Sequence, residues 1–244
     1  MILSSLRRYL YYGLLFLLFV FGVWAERSGF IETMLEYEED VVYLIVEHLQ
    51  LTLISGGLAV LIGVPLGILL SRPSARGFAE NAMQVLNIGS TVPTLALLAL
   101  SMSFLGIGNG PAIFGLLVVT LLPIVRNCYT GLLAVPAHLK EAAEGMGMTS
   151  QQMLWKVELP NALFVILAGI RTALAINVGT APLAFLIGGT SLGELIFTGI
   201  AVDDQAMMLS GAIPTALLAV AVDFVLGVMT FLLVSKGVNP LRQR

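Results

Sequence analysis

Between Leu49 and Leu70 the chain carries no charged side chain at all, a run long enough to cross a bilayer as one helix. A helix crossing about 30 Å of hydrocarbon needs roughly 20 apolar residues. Five further stretches approach that standard: Tyr9–Ala25, Val85–Leu105, Ala112–Leu133, Leu163–Ile187 and Met207–Ser235. Composition agrees, with 58% of residues hydrophobic and 11% charged, against roughly 25% charged in soluble domains. Such a chain cannot coat a globule with a wetted surface, so lipid is its solvent. No segment alternates polar and apolar residues over the length of a barrel strand. The expectation is an all-α membrane protein of six transmembrane helices, with both termini on one side.

Charge placement orients the bundle. Arg7, Arg8, Arg72, Arg76, Lys140, Lys156, Lys236, Arg242 and Arg244 fall at or beyond helix ends on one face, with Arg126 and Arg171 inside helices toward it. Glu26, Glu32, Glu36, Glu38, Glu39, Asp40, Glu47, Glu194, Asp203 and Asp204 gather on the other, where Arg27 is the lone cation. The positive-inside rule then puts both termini in the cytoplasm of a cell whose inner membrane the chain crosses repeatedly. The overall charge of −3, from 12 basic and 15 acidic residues, excludes a nucleic-acid partner. Arg7 and Arg8 ahead of Tyr9–Ala25 resemble the start of a signal peptide. The apolar run is long for one and no small-x-small site follows, so it reads as a retained anchor helix.

Pro65, Pro93, Pro123, Pro182 and Pro214 place one proline in each of the last five spans. Packing kinks account for them most simply, since neighbouring groups satisfy the freed carbonyls; a bundle of five moving helices is the functional alternative. Gly63 and Gly67, four apart, invite close helix contact. His48, at the opening of the second span, reads as an interfacial anchor. The single cysteine, Cys128, reads as a buried small hydrophobe.

The connector between the fourth and fifth spans, LAVPAHLKEAAEGMGMTSQQMLWKVELP, holds most of the information. Pro136 suits a first helical turn, and the residues from Ala137 to Glu144 favour helix. Gly145 and Gly147 then stop it. Thr149 and Gln152 form a capping box for a second helix, expected to end near Pro160. The product is a helix–turn–helix outside the membrane, shaped for docking.

Glu141, Ala142, Ala143, Gly147, Val157, Leu159 and Pro160 stand at the spacing of the EAA loop, so the chain resembles type I ABC importer permeases. That resemblance implies that these residues seat in a cleft of a separate ATP-hydrolysing subunit and couple its closure to the membrane helices. The stretches LNIGSTVPTLALLAL, LLPIVRNCYTGL, AGIRTALAINVGTA and SLGELIFTGI are similar to the osmoprotectant branch, which imports glycine betaine, carnitine and choline. Implied partners are ATP-binding cassette ATPase subunits, a second permease subunit (identical or homologous) and a periplasmic solute-binding protein. Implied organisation is an N-terminal helix and acidic external segment over 1–46, a permease domain over 47–236 with its coupling loop at 134–160, and a cytoplasmic tail at 237–244. The alternative solutes are other small amines or amino acids.

Gly-Lys occurs nowhere, so there is no P-loop. The chain is read as a transport subunit rather than an enzyme, binding no cofactor itself, with ATP and Mg used by the partner. No metal-ligand spacing is present. Gly189–Gly193 matches a nucleophile elbow in letters, but the elbow needs a strand before it. Phe104, Phe114, Phe164, Phe185, Phe197, Phe224 and Phe231 contain the aromatic material for a quaternary-ammonium cage, yet their helical spacing reads as core or lipid-facing. A self-sufficient ion-coupled transporter or channel would normally show paired half-repeats and intramembrane carboxylates; here Asp223 is the lone acid inside a span. Arg171 and Asp223 lie at similar depths in neighbouring spans, and each alone in lipid is costly. They are expected to interact, directly or through water, as scaffold; the competing reading has Arg171 capping carbonyls and Asp223 facing a wet cavity.

Overall fold

The computed structural model describes residues 30–235 continuously, together with Val20, Gly22, Gly237 and Val238. Apart from those residues, the expected first span Tyr9–Ala25 and the tail, with Arg7, Arg8, Arg27, Lys236, Arg242 and Arg244, lie outside the described residues. In chain order the helices are α1 (Phe30–Leu35), α2 (Glu38–Leu70), α3 (Arg76–Gly89), α4 (Thr94–Leu105), α5 (Asn109–Leu133), α6 (Ala137–Gly145), α7 (Ser150–Met153), α8 (Leu159–Thr180), α9 (Gly193–Val202) and α10 (Gln205–Leu233). A π-helical turn, Leu154–Glu158, joins α7 to α8, and a 3-10 run, Ala181–Ile187, continues α8. No strand occurs among the described residues.

Four helical runs are long and apolar enough to span a membrane: Glu38–Leu70, Asn109–Leu133, Ser150–Ile187 and Gln205–Leu233. The expected span Val85–Leu105 is broken rather than continuous. It is a pair of helices, α3 and α4, meeting at 100°. Pro93 has no N–H to continue a ladder and disfavours helical geometry at Val92. The Ser90 and Thr91 hydroxyls bond back to the carbonyls of Asn87 and Ile88, each at 2.7 Å, and close off α3. Among the other span prolines, Pro182 stands in the 3-10 run, while Pro65, Pro123 and Pro214 stay inside their helices.

The core forms where α2, α5 and α8 meet. A Cβ on Gly67 would lie 2.5 Å from the Cβ of Cys128, and one on Gly63 would lie 2.9 Å from Ile124. The missing side chains let α2 and α5 approach, which supplies the dispersion contact that holds helices together in lipid. Cys128 is buried there, its Sγ 3.4 Å from the Val64 carbonyl. Above this seam, Asn177 of α8 donates to Ser55 of α2 (3.0 Å) and Thr120 of α5 (2.7 Å). All three side chains are buried, so each satisfies polar groups that lipid would leave orphaned.

His48 does not sit at an interface. α2 begins at Glu38, eleven residues before Leu49, which carries His48 down into the bundle. There it is fully buried, with Nε2 3.1 Å from the Val178 carbonyl. The elbow-like Gly189–Gly193 segment is a packed turn: Ser191 is fully buried, donates to the Ala181 carbonyl (3.2 Å) and accepts from the Gly193 N–H (3.2 Å). Phe185 and Phe197 stack with centroids 6.2 Å apart, whereas Phe104, Phe114 and Phe224 are exposed along separate helices. They form no common cage.

Candidate functional site

α6, the glycine turn and α7 make a hairpin beyond the end of α5. Pro136 opens α6 with extended backbone angles, as its ring requires. The turn closes through Met146 N–H to Ala142 (3.1 Å), Gly147 N–H to Glu144 (2.9 Å) and Met148 N–H to Ala143 (3.1 Å). Gly147 takes φ +75°, the left-handed region where a side chain is strained. Thr149 and Gln152 then form both bonds of the capping box, at 3.3 and 2.9 Å.

The second hairpin helix does not end near Pro160. It passes through the π-turn straight into α8, because Pro160 falls in the first turn of α8, where its missing N–H is tolerated. The Asn161 amide adds a donor to the Val157 carbonyl at 2.7 Å. Hairpin and span are therefore one continuous helical path, the run Ser150–Ile187.

The motif residues divide between two faces. Glu141, Ala142 and Gly147 are exposed, and so is Pro160. Ala143 is buried inside the hairpin, and Leu159 packs on the cluster around Cys128 and Leu132, with Val157 half-buried. Of the two alanines, Ala142 alone presents its methyl outward. Met146 and Trp155, each 68% exposed, add large apolar side chains to the outer surface of the same hairpin. Neither stands out in the sequence of so apolar a chain.

A charged knot ties the hairpin to the bundle. Glu158, buried in the π-turn, meets Arg72 at the end of α2 (2.6 Å) and Lys140 of α6 (3.5 Å). Arg72 also donates to Ser71 (2.9 Å), and Lys140 to the Leu132 carbonyl (3.3 Å). Three elements thus share one carboxylate. Sequence reading missed this because the two cations look like ordinary positive-inside residues until the fold brings Glu158 between them.

Arg171 and Asp223 meet across α8 and α10. The Arg171 Nε donates to Oδ1 at 2.6 Å, and Nη2 forms the second arm of the fork on Oδ2. Their side chains keep 39% and 42% exposure, so this chain does not enclose them. A Cβ on Gly227 would come 3.1 Å from the Arg171 guanidinium, so the glycine leaves room for the fork. Elsewhere, the bend between α3 and α4 leaves a cavity of about 570 Å³ against α5 and α8, with Arg126 on its wall. At the opposite end, Tyr37 donates to Asp204 at 2.6 Å, and Asp204 caps α10 through the Met207 N–H (2.9 Å). The shared proton holds the Asp204 carboxyl below its usual range and pushes the Tyr37 phenol up.

The profile of the family described as the binding-protein-dependent transport system inner membrane component matches residues 63–236, which include the bent pair, the hairpin and the last span. The chain belongs to this family. It is therefore a multi-pass membrane permease subunit of an ABC importer, a class that works with an ATPase and a solute-binding protein. Curated relatives include the osmoprotectant import permease protein OsmY of Salmonella typhimurium, 54% identical over 87% of this chain and 88% of that protein. The choline transport system permease protein OpuBB of Bacillus subtilis is 40% identical over 84% of this chain and 93% of its own. Among solved structures, the MetNI methionine ABC transporter in an inward-facing conformation aligns with a TM-score of 0.72 at 26% identity, covering 80% of this chain and 96% of that one.

Proposed function

We propose that this permease subunit conducts a compatible solute of the glycine betaine, carnitine and choline class, with Glu141, Ala142, Ala143, Gly147, Val157, Leu159 and Pro160 forming the hairpin that receives the stroke of an ATPase. The observation that carries the coupling half is the continuous path from exposed hairpin to buried span. Closure of an ATPase on Glu141, Ala142, Met146 and Trp155 displaces α7, and the π-turn passes that displacement to α8 without an intervening loop. The inward residues, Ala143 and Leu159, keep the hairpin stiff enough to transmit it. The solute half rests on relatives named for osmoprotectant, choline and carnitine import.

In this reading the hairpin end of the bundle faces the cytoplasm, where positive-inside cations surround it, and a periplasmic protein delivers the solute to the opposite end. Arg171 and Asp223 serve as scaffold, neutralising each other at moderate exposure and fixing α10 to α8. The test is uptake of labelled glycine betaine into vesicles holding the assembled transporter and its binding protein. Uptake is expected with ATP on the cytoplasmic side and absent with a membrane potential alone. Potential-driven uptake without ATP would overturn the coupling reading, and import of amino acids in place of betaine would overturn the solute.

A further inference from the structure

α5 carries a single charge along its 25 residues, Arg126, an exposed residue whose guanidinium has no hydrogen-bond or ion-pair partner among the described residues. Arg171, one helix away, has Asp223. An unpaired arginine in a membrane span is costly and marks a functional site more often than not. Arginines near helix ends do snorkel to water, and Arg126 is seven residues from the end of α5. Snorkelling alone does not explain its surroundings.

Arg126 stands on the wall of the 570 Å³ cavity beneath the α3–α4 bend, together with the amide-bearing Asn87 and the hydroxyl-bearing Thr94. Leu97, Leu122 and Ile176 supply apolar wall. None of the lining residues is acidic and none is aromatic. The cavity therefore offers a lone cation neither an opposite charge nor a ring face, and Arg126 repels one, whereas a zwitterion can enter on its carboxylate. The cavity offers a planar fork of N–H donors, a geometry that matches a carboxylate with two parallel bonds.

We propose that this cavity is a carboxylate subsite on the solute path, in which Arg126 takes the carboxylate of a zwitterionic osmoprotectant and the leucine and isoleucine wall receives its methylated end. The inference rests on the osmoprotectant reading and sharpens it. Betaine and carnitine carry the carboxylate; choline carries an alcohol in its place, so choline passes without this contact.

The experiment compares the complete transporter, reconstituted with its ATPase and binding protein, as wild type, Arg126→Gln and Arg126→Lys. Labelled glycine betaine and labelled choline are the probes, and ATP hydrolysis without solute is the second readout. In Arg126→Gln betaine uptake is expected to fall about tenfold, the weight of one lost charge-assisted contact, while solute-free ATP hydrolysis holds and any choline uptake does not fall, since a bare cation loses only a repulsion there. Arg126→Lys keeps the charge without the fork and is expected to recover betaine uptake in part. Unchanged betaine uptake in Arg126→Gln overturns the subsite, and so does a loss shared by choline or by ATP hydrolysis, which assigns Arg126 to scaffold. A wild type that carries neither solute instead overturns the osmoprotectant reading, and the subsite with it.

Discussion

Two sites show how local chemistry sets the behaviour of the ends of this molecule. The hydrogen bond from Tyr37 to Asp204 fastens the start of α2 to the cap of α10. Because the Asp204 carboxyl is held below its usual range, its contribution is full above about pH 4, the ordinary aspartate value, and fades as pH falls through the native value. The phenol, pushed up, keeps its proton until strongly alkaline pH, so the sensitive limb is the acidic one. The thermal midpoint of the solubilised protein is therefore expected to exceed that of Tyr37→Phe at neutral pH, with the gap closing in acid. A gap that stays constant as pH falls below the ordinary aspartate range would contradict this linkage. Gly147 sets the other end. With φ +75°, an aspartate there strains the turn and adds a charge to the outer surface of the hairpin. Gly147→Asp is expected to insert in the membrane at normal levels yet lose ATPase association and transport; normal uptake at normal expression would dismiss the docking role.

At the scale of elements, the seam of α2 on α5 depends on absent side chains. Two glycines of one helix make the comparison sharp: Gly67 has Cys128 and the Val125 backbone where its Cβ would be, whereas Gly57 has open space. Gly67→Ala is expected to destabilise the solubilised protein by about 1–3 kcal/mol through overpacking. Gly57→Ala is expected to be neutral or to gain up to about 1 kcal/mol of helix propensity. Equal effects in a thermal unfolding assay would refute the seam. That seam was legible as Gly63-x-x-x-Gly67, since small residues four apart on an apolar helix let a neighbour approach, although chance also produces such pairs in a chain with 25 glycines. The capping box of Thr149 and Gln152 was legible because its bonds are local. What escaped sequence reading either left hydropathy unchanged or depended on distant partners. A hydropathy window sees Val85–Leu105 as one span, because the 100° bend costs no apolar residue and rests on Pro93 and two back-bonding hydroxyls. His48 looked interfacial because the acidic start of α2 hides a helix already under way at Glu38. Glu158 carries no local sequence signal, and it holds Arg72 and Lys140 together across three elements.

The whole molecule is unevenly covered. About a third of the central apolar windows of the runs Glu38–Leu70 and Ser150–Ile187 is buried within the chain, yet almost none of that of α10 is. Leu217, Val220, Phe224, Val225 and Leu232 leave α10 exposed along most of its length. Lipid accepts such a face without penalty, and so does another permease subunit, so exposure alone does not set the assembly. The hairpin does. The described residues present one hairpin, which in the proposed reading engages one ATPase, and in the family that this chain resembles the complete importer presents two hairpins, one to each ATPase subunit. A transporter with one such chain would leave one ATPase without a lever into the membrane. Two permease chains per complex are therefore expected, either two copies of this one or this one with a homologue, arranged so that both hairpins face the same side. Native mass measurement of the solubilised, ATPase-bound complex gives the count directly. Two permeases with two ATPases is the expected composition; a functional complex with a single permease would break the link between one hairpin and one ATPase.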